Sequence, residues 1–333
     1  MKVLGIDAVV AAKQRIYPYI SQTPLLTSAL LNKWLGHRVI FKAECLQKIG
    51  AFKARGACNT IAWLREHEKE TKRIVANSSG NHAQAVAWAA AQFGLSSTIF
   101  MPRNVSRVKA QATAAYGAEV VFCETREEVD GRAADAAREE GTYWVPPYNH
   151  EQVIAGQGTA AFEALFELGG VDAVFAPCGG GGLLSGTLIS TRALSPKAQV
   201  IGAEPLNAND AAESLRQGAI QQLQSVPRTL ADGAMTIAVG DITFEYLKQL
   251  DDFYEIDEDA IVYWAQWLNH LLKVRIEPTS AMAMEAVRNW LAKQKQKRTV
   301  LVILSGGNVD QKRVLEIWAK DYLTEVPGLQ RAY

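Results

Sequence analysis

The chain has no excess of charge of either sign, with 35 Lys and Arg set against 35 Asp and Glu. A balanced surface makes no long-range field for nucleic acid or an anionic membrane, so any anionic ligand must be held by local groups. Cysteine is scarce, at four in 333 residues, and Cys45, Cys58, Cys123 and Cys178 form no CxxC pair. That argues against a zinc ribbon or a redox motif, and leaves free, mostly buried thiols in a reducing cytoplasm as the expectation. His37, His67, His82, His150 and His270 are scattered and never take HExxH spacing, so a metalloprotease-like site is unsupported. No segment reaches the roughly 18 consecutive apolar residues of a membrane span, and no signal-peptide pattern opens the chain. Internal repeats and low-complexity segments are lacking too.

What is present is apolar content of 48%, sufficient for a large core, in a length that suggests about two domains. From about residue 73, short β-branched runs alternate with longer alanine-rich stretches, the rhythm of a βαβ protein. Strands are expected at 72–76, 97–101, 119–123, 173–176, 199–203 and 299–304. Helices are expected at 82–93, 105–116, 126–140, 151–168, 183–194, 257–273 and 280–293, with Gly94 and Gly117 as left-handed caps. Pro146-Pro147 continues neither kind of element and marks a crossing between domains. The apolar strands predict central parallel strands covered on both faces.

Ala51-Phe52-Lys53-Ala54-Arg55-Gly56-Ala57 places a lysine between an aromatic ring and a glycine. A carbonyl-trapping lysine must be desolvated or set near other cations, effects that Phe52 and Arg55 are placed to supply; the alternative is an ordinary surface helix start. Cys178-Gly179-Gly180-Gly181-Gly182 falls between a strand and a helix beginning near Leu183. Its bare backbone N–H groups form an anion cradle suited to a single phosphate, because it lacks both the Lys-Ser/Thr ending of a nucleotide loop and the dinucleotide spacing. Ser78-Ser79-Gly80-Asn81-His82 also lies between strand and helix, as a carboxylate receptor or a plain N-cap. Ser305-Gly306-Gly307-Asn308 follows an apolar strand, and ligands of open α/β sheets bind at such carboxyl ends.

In chain order, the lysine heptad, Ser-Ser-Gly-Asn-His, the tetraglycine loop and Ser-Gly-Gly-Asn together resemble the pyridoxal-phosphate (PLP) enzymes of fold type II, in the serine/threonine dehydratase and serine racemase branch. The likeness runs from Thr23-Pro24-Leu25-Leu26-Thr27 to Ser305-Gly306-Gly307-Asn308-Val309. It implies an α/β fold like that of tryptophan synthase β, with two domains, each an open, mostly parallel twisted sheet flanked by helices. The cofactor would lie in the cleft between them. Residues 1–67 with 148–333 would form the large PLP-binding domain, and 73–147 a small mobile domain holding the substrate carboxylate.

The resemblance further implies that Lys53 is the covalent anchor of PLP and Phe52 packs near its ring. Gly179, Gly180, Gly181, Gly182 and Leu183 would bind the phosphate, Asn81 the ring's 3-oxygen, and Ser305 the pyridine nitrogen. Ser78, Ser79, Asn81 and His82 would hold the substrate carboxylate, with Ser79 also a catalytic acid on the ring face opposite Lys53. A serine cannot protonate the pyridine as an aspartate would, so the ring is a weaker electron sink and prompt loss of a β-substituent is favoured. The expected activity is an L-serine/L-threonine ammonia-lyase giving pyruvate or 2-oxobutyrate plus ammonia. The alternatives are a serine racemase, a threo-3-hydroxyaspartate dehydratase, or a cofactor-binding α/β protein without chemistry.

Glu204, Ala208 and Asp210 match a divalent-cation site of the racemase branch, and their hard oxygens suit Mg, Mn or Ca; a solvated acidic loop is the alternative. Lys48, Gln84, Tyr116 and Asn308 match positions of a nucleotide effector site in racemase relatives. Ile49 and Ala29 replace its usual polar residues, so nucleotide control is not expected. Relatives that act on a second carboxylate carry an arginine near the position of Asp130, with Arg126 and Arg132 close by here; an aspartate facing the pocket would favour serine or threonine. Gly233 to Thr236 should line the same pocket. A homodimer without an isoleucine-sensing domain is expected.

Overall fold

Thr299–Leu304 is apolar and buried at every position after the first, as a central strand covered on both faces requires. In the computed structural model, which describes residues 4–78, 80–103, 105 and 107–330, it is the tenth of ten strands. These are β1 (Leu25–Leu26), β2 (Arg38–Ala43), β3 (Arg73–Asn77), β4 (Ser96–Pro102), β5 (Glu119–Cys123), β6 (Thr142–Trp144), β7 (Ala173–Pro177), β8 (Gln199–Pro205), β9 (Asp252–Ile256) and β10 (Thr299–Leu304). They form a six-stranded sheet in the order β1-β2-β10-β7-β8-β9 and a four-stranded sheet in the order β5-β4-β3-β6. All pairings are parallel except that of β1 with β2. The fold is therefore α/β with one mostly parallel and one fully parallel sheet, each flanked by helices.

The expected strands at 119–123 and 299–304 and the helix Glu151–Leu168 have the predicted bounds. The helix expected over 126–140 ends at Ala136, and the one expected over 280–293 is two short helices, Pro278–Ala281 and Ala283–Leu291. Gly94 and Gly117 do take positive φ, 64° and 98°. Strands β2 and β9 and the first helix, Ile6–Ile16, are not anticipated by the sequence reading.

Two features position the site. The helix Lys53–His67 packs on Asn81–Gln92 beside the smaller sheet and on Glu151–Leu168 beside the larger one, so it ties the two layers together. Its interior is fixed by ions as well as by apolar contacts. Arg55, wholly buried, donates twice to Glu44 (2.7 and 2.8 Å) and twice to Glu163 (2.8 Å each), while Lys42 donates to Glu163 at 2.8 Å. Losing one partner of such a set strands charge in a low-dielectric interior. All four cysteines are free and buried. No helix among the described residues is long and apolar enough to cross a membrane.

Candidate active site

Lys53 opens its helix directly after a stretch stitched to the loop that follows β10. Ala51 bridges Gly306, Phe52 N–H donates to Ser305 O at 2.9 Å, and Gly307 N–H donates to Gly50 O at 3.0 Å. The Lys53 ammonium donates to Pro147 O and stands 5.2 Å from the centre of the Phe52 ring. Burial pulls its pKa down to about 8, with the Glu277 carboxylate acting in the opposite sense. Arg55 does not contribute to that shift, contrary to the expectation from the heptad. Its guanidinium is committed to Glu44 and Glu163, so desolvation lowers the lysine pKa without help from a neighbouring cation.

The loop after β3 lies across from this lysine. Gly80 N–H donates to Ser78 Oγ at 3.3 Å, and Asn81 is the first residue of the helix Asn81–Gln92. The Asn81 amide donates to Glu277 Oε2 at 3.1 Å and accepts from Asn308 Nδ2 at 2.8 Å, which joins this loop to the one after β10. His82 is buried with Nε2 at 2.8 Å from Val145 O; burial, then the nearby Lys53 charge, hold its pKa down to about 3. A neutral ring in that setting donates from Nε2 to the carbonyl, so His82 offers the site its backbone N–H and not an acid or base. Ser79 lies outside the described residues.

The glycine loop follows β7 and leads into the helix Gly182–Leu194, with Gly181 at φ +91°. Consecutive residues link it to the lysine: Pro147 O accepts from the Lys53 ammonium, and the Tyr148 ring lies over Gly180, where a Cβ would stand 2.2 Å from its carbons. Thr243 Oγ1 donates to Gly180 O at 2.7 Å, and Gly233 O and Ala234 Cα face Gly179 at 3.1 and 3.2 Å from a Cβ built there. Thus Gly233 and Ala234 do border the loop. Beside Gly182, Gln157 is buried with neither amide atom hydrogen-bonded. A cradle that tolerates no side chain, at a helix N-terminus and next to an unpaired amide, fits a phosphate.

Ser305 closes the third side. Its hydroxyl lies 2.9 Å from that of Ser280, and both residues are buried. Glu277 stands near it, its pKa pushed up to about 7 by burial and by the Asp232 charge. Sequence reasoning missed Tyr148, Ser280 and Glu277. None belongs to a glycine motif; each is found only through the chain crossings that bring it to the cleft.

Glu204 and Asp210 meet at the end of β8. The Glu204 carboxylate accepts from Ala212 N (2.6 Å) and Ala211 N (3.2 Å), while Asp210 Oδ2 is buried without a partner. Burial raises both pKa values, that of Asp210 to about 7. Among the described residues no group of three or more His, Cys, Asp or Glu side chains is arranged to hold a metal ion. Two carboxylates and the Ala208 carbonyl would need further oxygen donors to complete a shell.

A lysine of lowered pKa joined through Pro147-Tyr148 to a phosphate cradle suits a ligand that carries both a carbonyl and a phosphate. Residues 16–306 match the family described as pyridoxal-phosphate dependent enzyme, and the chain belongs to that family. It is 43% identical to the L-threo-3-hydroxyaspartate ammonia-lyase of Saccharomyces cerevisiae, over 92% of this chain and 93% of the yeast protein. It is 39% identical to the serine racemase of Schizosaccharomyces pombe, over 92% of this chain and 95% of that protein. Among solved structures, the serine racemase of Dictyostelium discoideum superposes with a TM-score of 0.86 at 38% identity, covering 92% of this chain and 99% of that one. A solved threonine deaminase superposes with a TM-score of 0.87 at 41% identity, with the same two coverages, 92% and 99%. The reading without chemistry is thereby set aside.

Proposed function

We propose that the protein is a PLP-dependent L-serine/L-threonine ammonia-lyase, releasing ammonia and pyruvate or 2-oxobutyrate. The observation that carries this reading is Lys53, a lysine whose desolvation leaves a substantial neutral fraction near pH 8 at the edge of a phosphate cradle. When bound, PLP supplies an electron sink for the pair left on the substrate Cα. Lys53 would anchor the cofactor and, with its amine free, would take the substrate α-proton at Nζ. Gly179, Gly180, Gly181, Gly182 and Leu183 hold the phosphate, Phe52 packs near the ring, Asn81 meets the ring 3-oxygen and Ser305 the ring nitrogen. Ser78, Ser79, Asn81 and the His82 N–H receive the substrate carboxylate. A hydroxyl in place of a carboxylate at the ring nitrogen favours prompt loss of the β-hydroxyl over a long-lived carbanion. Ser79 would serve as the acid that racemisation needs.

Substrate choice rests on Asp130. Asn77, at the end of β3, donates to its carboxylate at 2.7 Å, and Arg126 pairs with it at 3.2 Å. An anion there repels a second substrate carboxylate and favours serine or threonine. A second reading, 3-hydroxyaspartate elimination, is favoured by Arg126. The charges of Arg126 and Asp130 both act on the cleft residue Tyr148, and the yeast relative carries that activity in its name. A substrate panel of L- and D-serine, L-threonine and both hydroxyaspartates, with oxo-acid and chiral product analysis, separates these readings. Fastest turnover of serine or threonine supports the first; a strong preference for hydroxyaspartate that Arg126→Ala abolishes supports the second.

Residues 73–147 act as the small mobile domain against 1–67 with 148–333, and the working form is a homodimer. Glu204, the Ala208 carbonyl and Asp210 bind a divalent cation that stabilises the fold without entering the reaction. The unpaired Asp210 Oδ2 supports this assignment.

A further inference from the structure

Ser280 lies in the short helix Pro278–Ala281, and its single hydroxyl proton faces two acceptors. Gly306 N–H donates to Ser280 Oγ at 2.7 Å, which occupies one lone pair. The Ser280 proton then goes either to Gly306 O at 2.8 Å or to Ser305 Oγ at 2.9 Å. These two choices have opposite consequences for the cleft. If Ser280 donates to Gly306 O, its oxygen is left as an acceptor that draws the Ser305 proton away from a ligand. If Ser280 donates to Ser305, the Ser305 proton is free to point at the ligand.

Hydrogen-bond accounting separates the two arrangements. Gly306 O also accepts from Glu277 N–H at 3.0 Å, so it stays paired when the Ser280 proton turns away. Ser305 O is taken by Phe52 N–H at 2.9 Å, which fixes the backbone from which the hydroxyl projects. The second arrangement therefore keeps each of these buried groups paired and offers a donor to the cleft. An unprotonated pyridine nitrogen is an acceptor and selects it.

We propose that Ser280 is a positioning residue that donates to Ser305 and so commits the Ser305 hydroxyl to donate to the ring nitrogen of PLP, keeping that nitrogen unprotonated. This rests on the reading of Ser305 given above. Ser280 touches no reacting atom; it acts by deciding which way the Ser305 proton points. The weak electron sink ascribed to Ser305 is then a property of the Ser280–Ser305 pair.

The test is a double-mutant cycle read as PLP affinity, titrating each apoprotein with PLP. Ser305→Ala is expected to weaken binding about tenfold, the usual scale of one lost hydrogen bond to a ligand. Ser280→Ala is expected to weaken it by about three- to tenfold, and the double variant to bind no worse than Ser305→Ala alone. Unchanged affinity in Ser305→Ala overturns the reading of Ser305 itself. A loss in Ser305→Ala together with multiplying losses in the double variant makes Ser280 merely structural and overturns the inference. Because Ser280→Ala orphans the buried Gly306 N–H, apoprotein melting is followed in parallel. If that variant does not fold, Ser280→Cys takes its place in the cycle, keeping an acceptor and a weaker donor, and the same two patterns decide.

Discussion

Gly180→Ala puts the phosphate loop under a strain that can be sized from the structure. The added Cβ would stand 2.2 Å from Tyr148 Cγ and Cδ1 and 2.3 Å from Cε1, whereas carbon atoms rest about 3.5–4.0 Å apart. One side must move by about 1.5 Å to restore that separation. The ring is anchored by the Tyr148 hydroxyl donating to Ala238 O at 3.0 Å, and the loop is anchored by Thr243 donating to Gly180 O at 2.7 Å. Overpacking of this kind costs about 1–3 kcal/mol. The empty loop can shift to relieve it, but a loop gathered round a phosphate cannot, so the strain is expressed in binding. Converted at about 1.4 kcal/mol per tenfold, PLP affinity should fall by about 5- to 150-fold. Titration of the apoprotein with PLP measures this, and Tyr148→Ala in the same chain should recover most of the loss by opening the space. Wild-type affinity in Gly180→Ala, or no recovery in the double variant, would refute the placement of the phosphate at this loop.

Arg55→Ala leaves Glu44 buried with the Thr23 hydroxyl and Glu163 with Lys42 as their remaining side-chain donors, so urea denaturation should show a loss of about 3–5 kcal/mol. Because Arg55 does not set the Lys53 pKa, the milder Arg55→Lys should leave the pH midpoint of PLP attachment unmoved; a shifted midpoint would restore the role expected from the heptad. In the wild type that midpoint should fall near pH 8. The neutral amine is the attacking form and grows with pH, from about 1% at pH 6 to about half at pH 8 when the pKa is about 8, so the attachment rate should rise about 50-fold over that span, about double again above it and then level. An inflection near pH 10 would mean an ordinary solvated lysine. Chelation should lower the melting temperature by about 3 °C and Mg, Mn or Ca should restore it, a response that Asp210→Asn removes; a melting curve indifferent to cation and chelator would count against a metal at Glu204 and Asp210.

The central strand Thr299–Leu304 was legible in the sequence because it is a continuous apolar run; Glu119–Cys123 also stands where its β-branched run put it, although it is a half-exposed edge strand. Strand β2 was not, although it is just as buried, because Arg38 and Lys42 interrupt its apolar run and the ion pair that makes Lys42 a core residue is with Glu163, 121 positions away. Strand β9, Asp252-Phe253-Tyr254-Glu255-Ile256, lies at the sheet edge, and its acidic residues break the apolar run that marks a central strand. The glycine-bearing loops were readable since each sits between a strand and a helix. Their supports were not: Ser280 looks like one more small residue after a proline until the fold brings it to Ser305, and Tyr148 is marked only by following Pro147. Arg55 was misjudged for the same reason, since helix spacing puts it a short way from Lys53 while its partners fix it elsewhere.

The central claim, that Lys53 is the amine to which PLP is bound, is tested most directly by borohydride reduction of the PLP-loaded protein followed by peptide mapping. A stoichiometric pyridoxyl label is expected on the peptide containing Lys53, and none in Lys53→Ala. A label on any other lysine, or a Lys53→Ala variant that still retains PLP through reduction and denaturation, would contradict it.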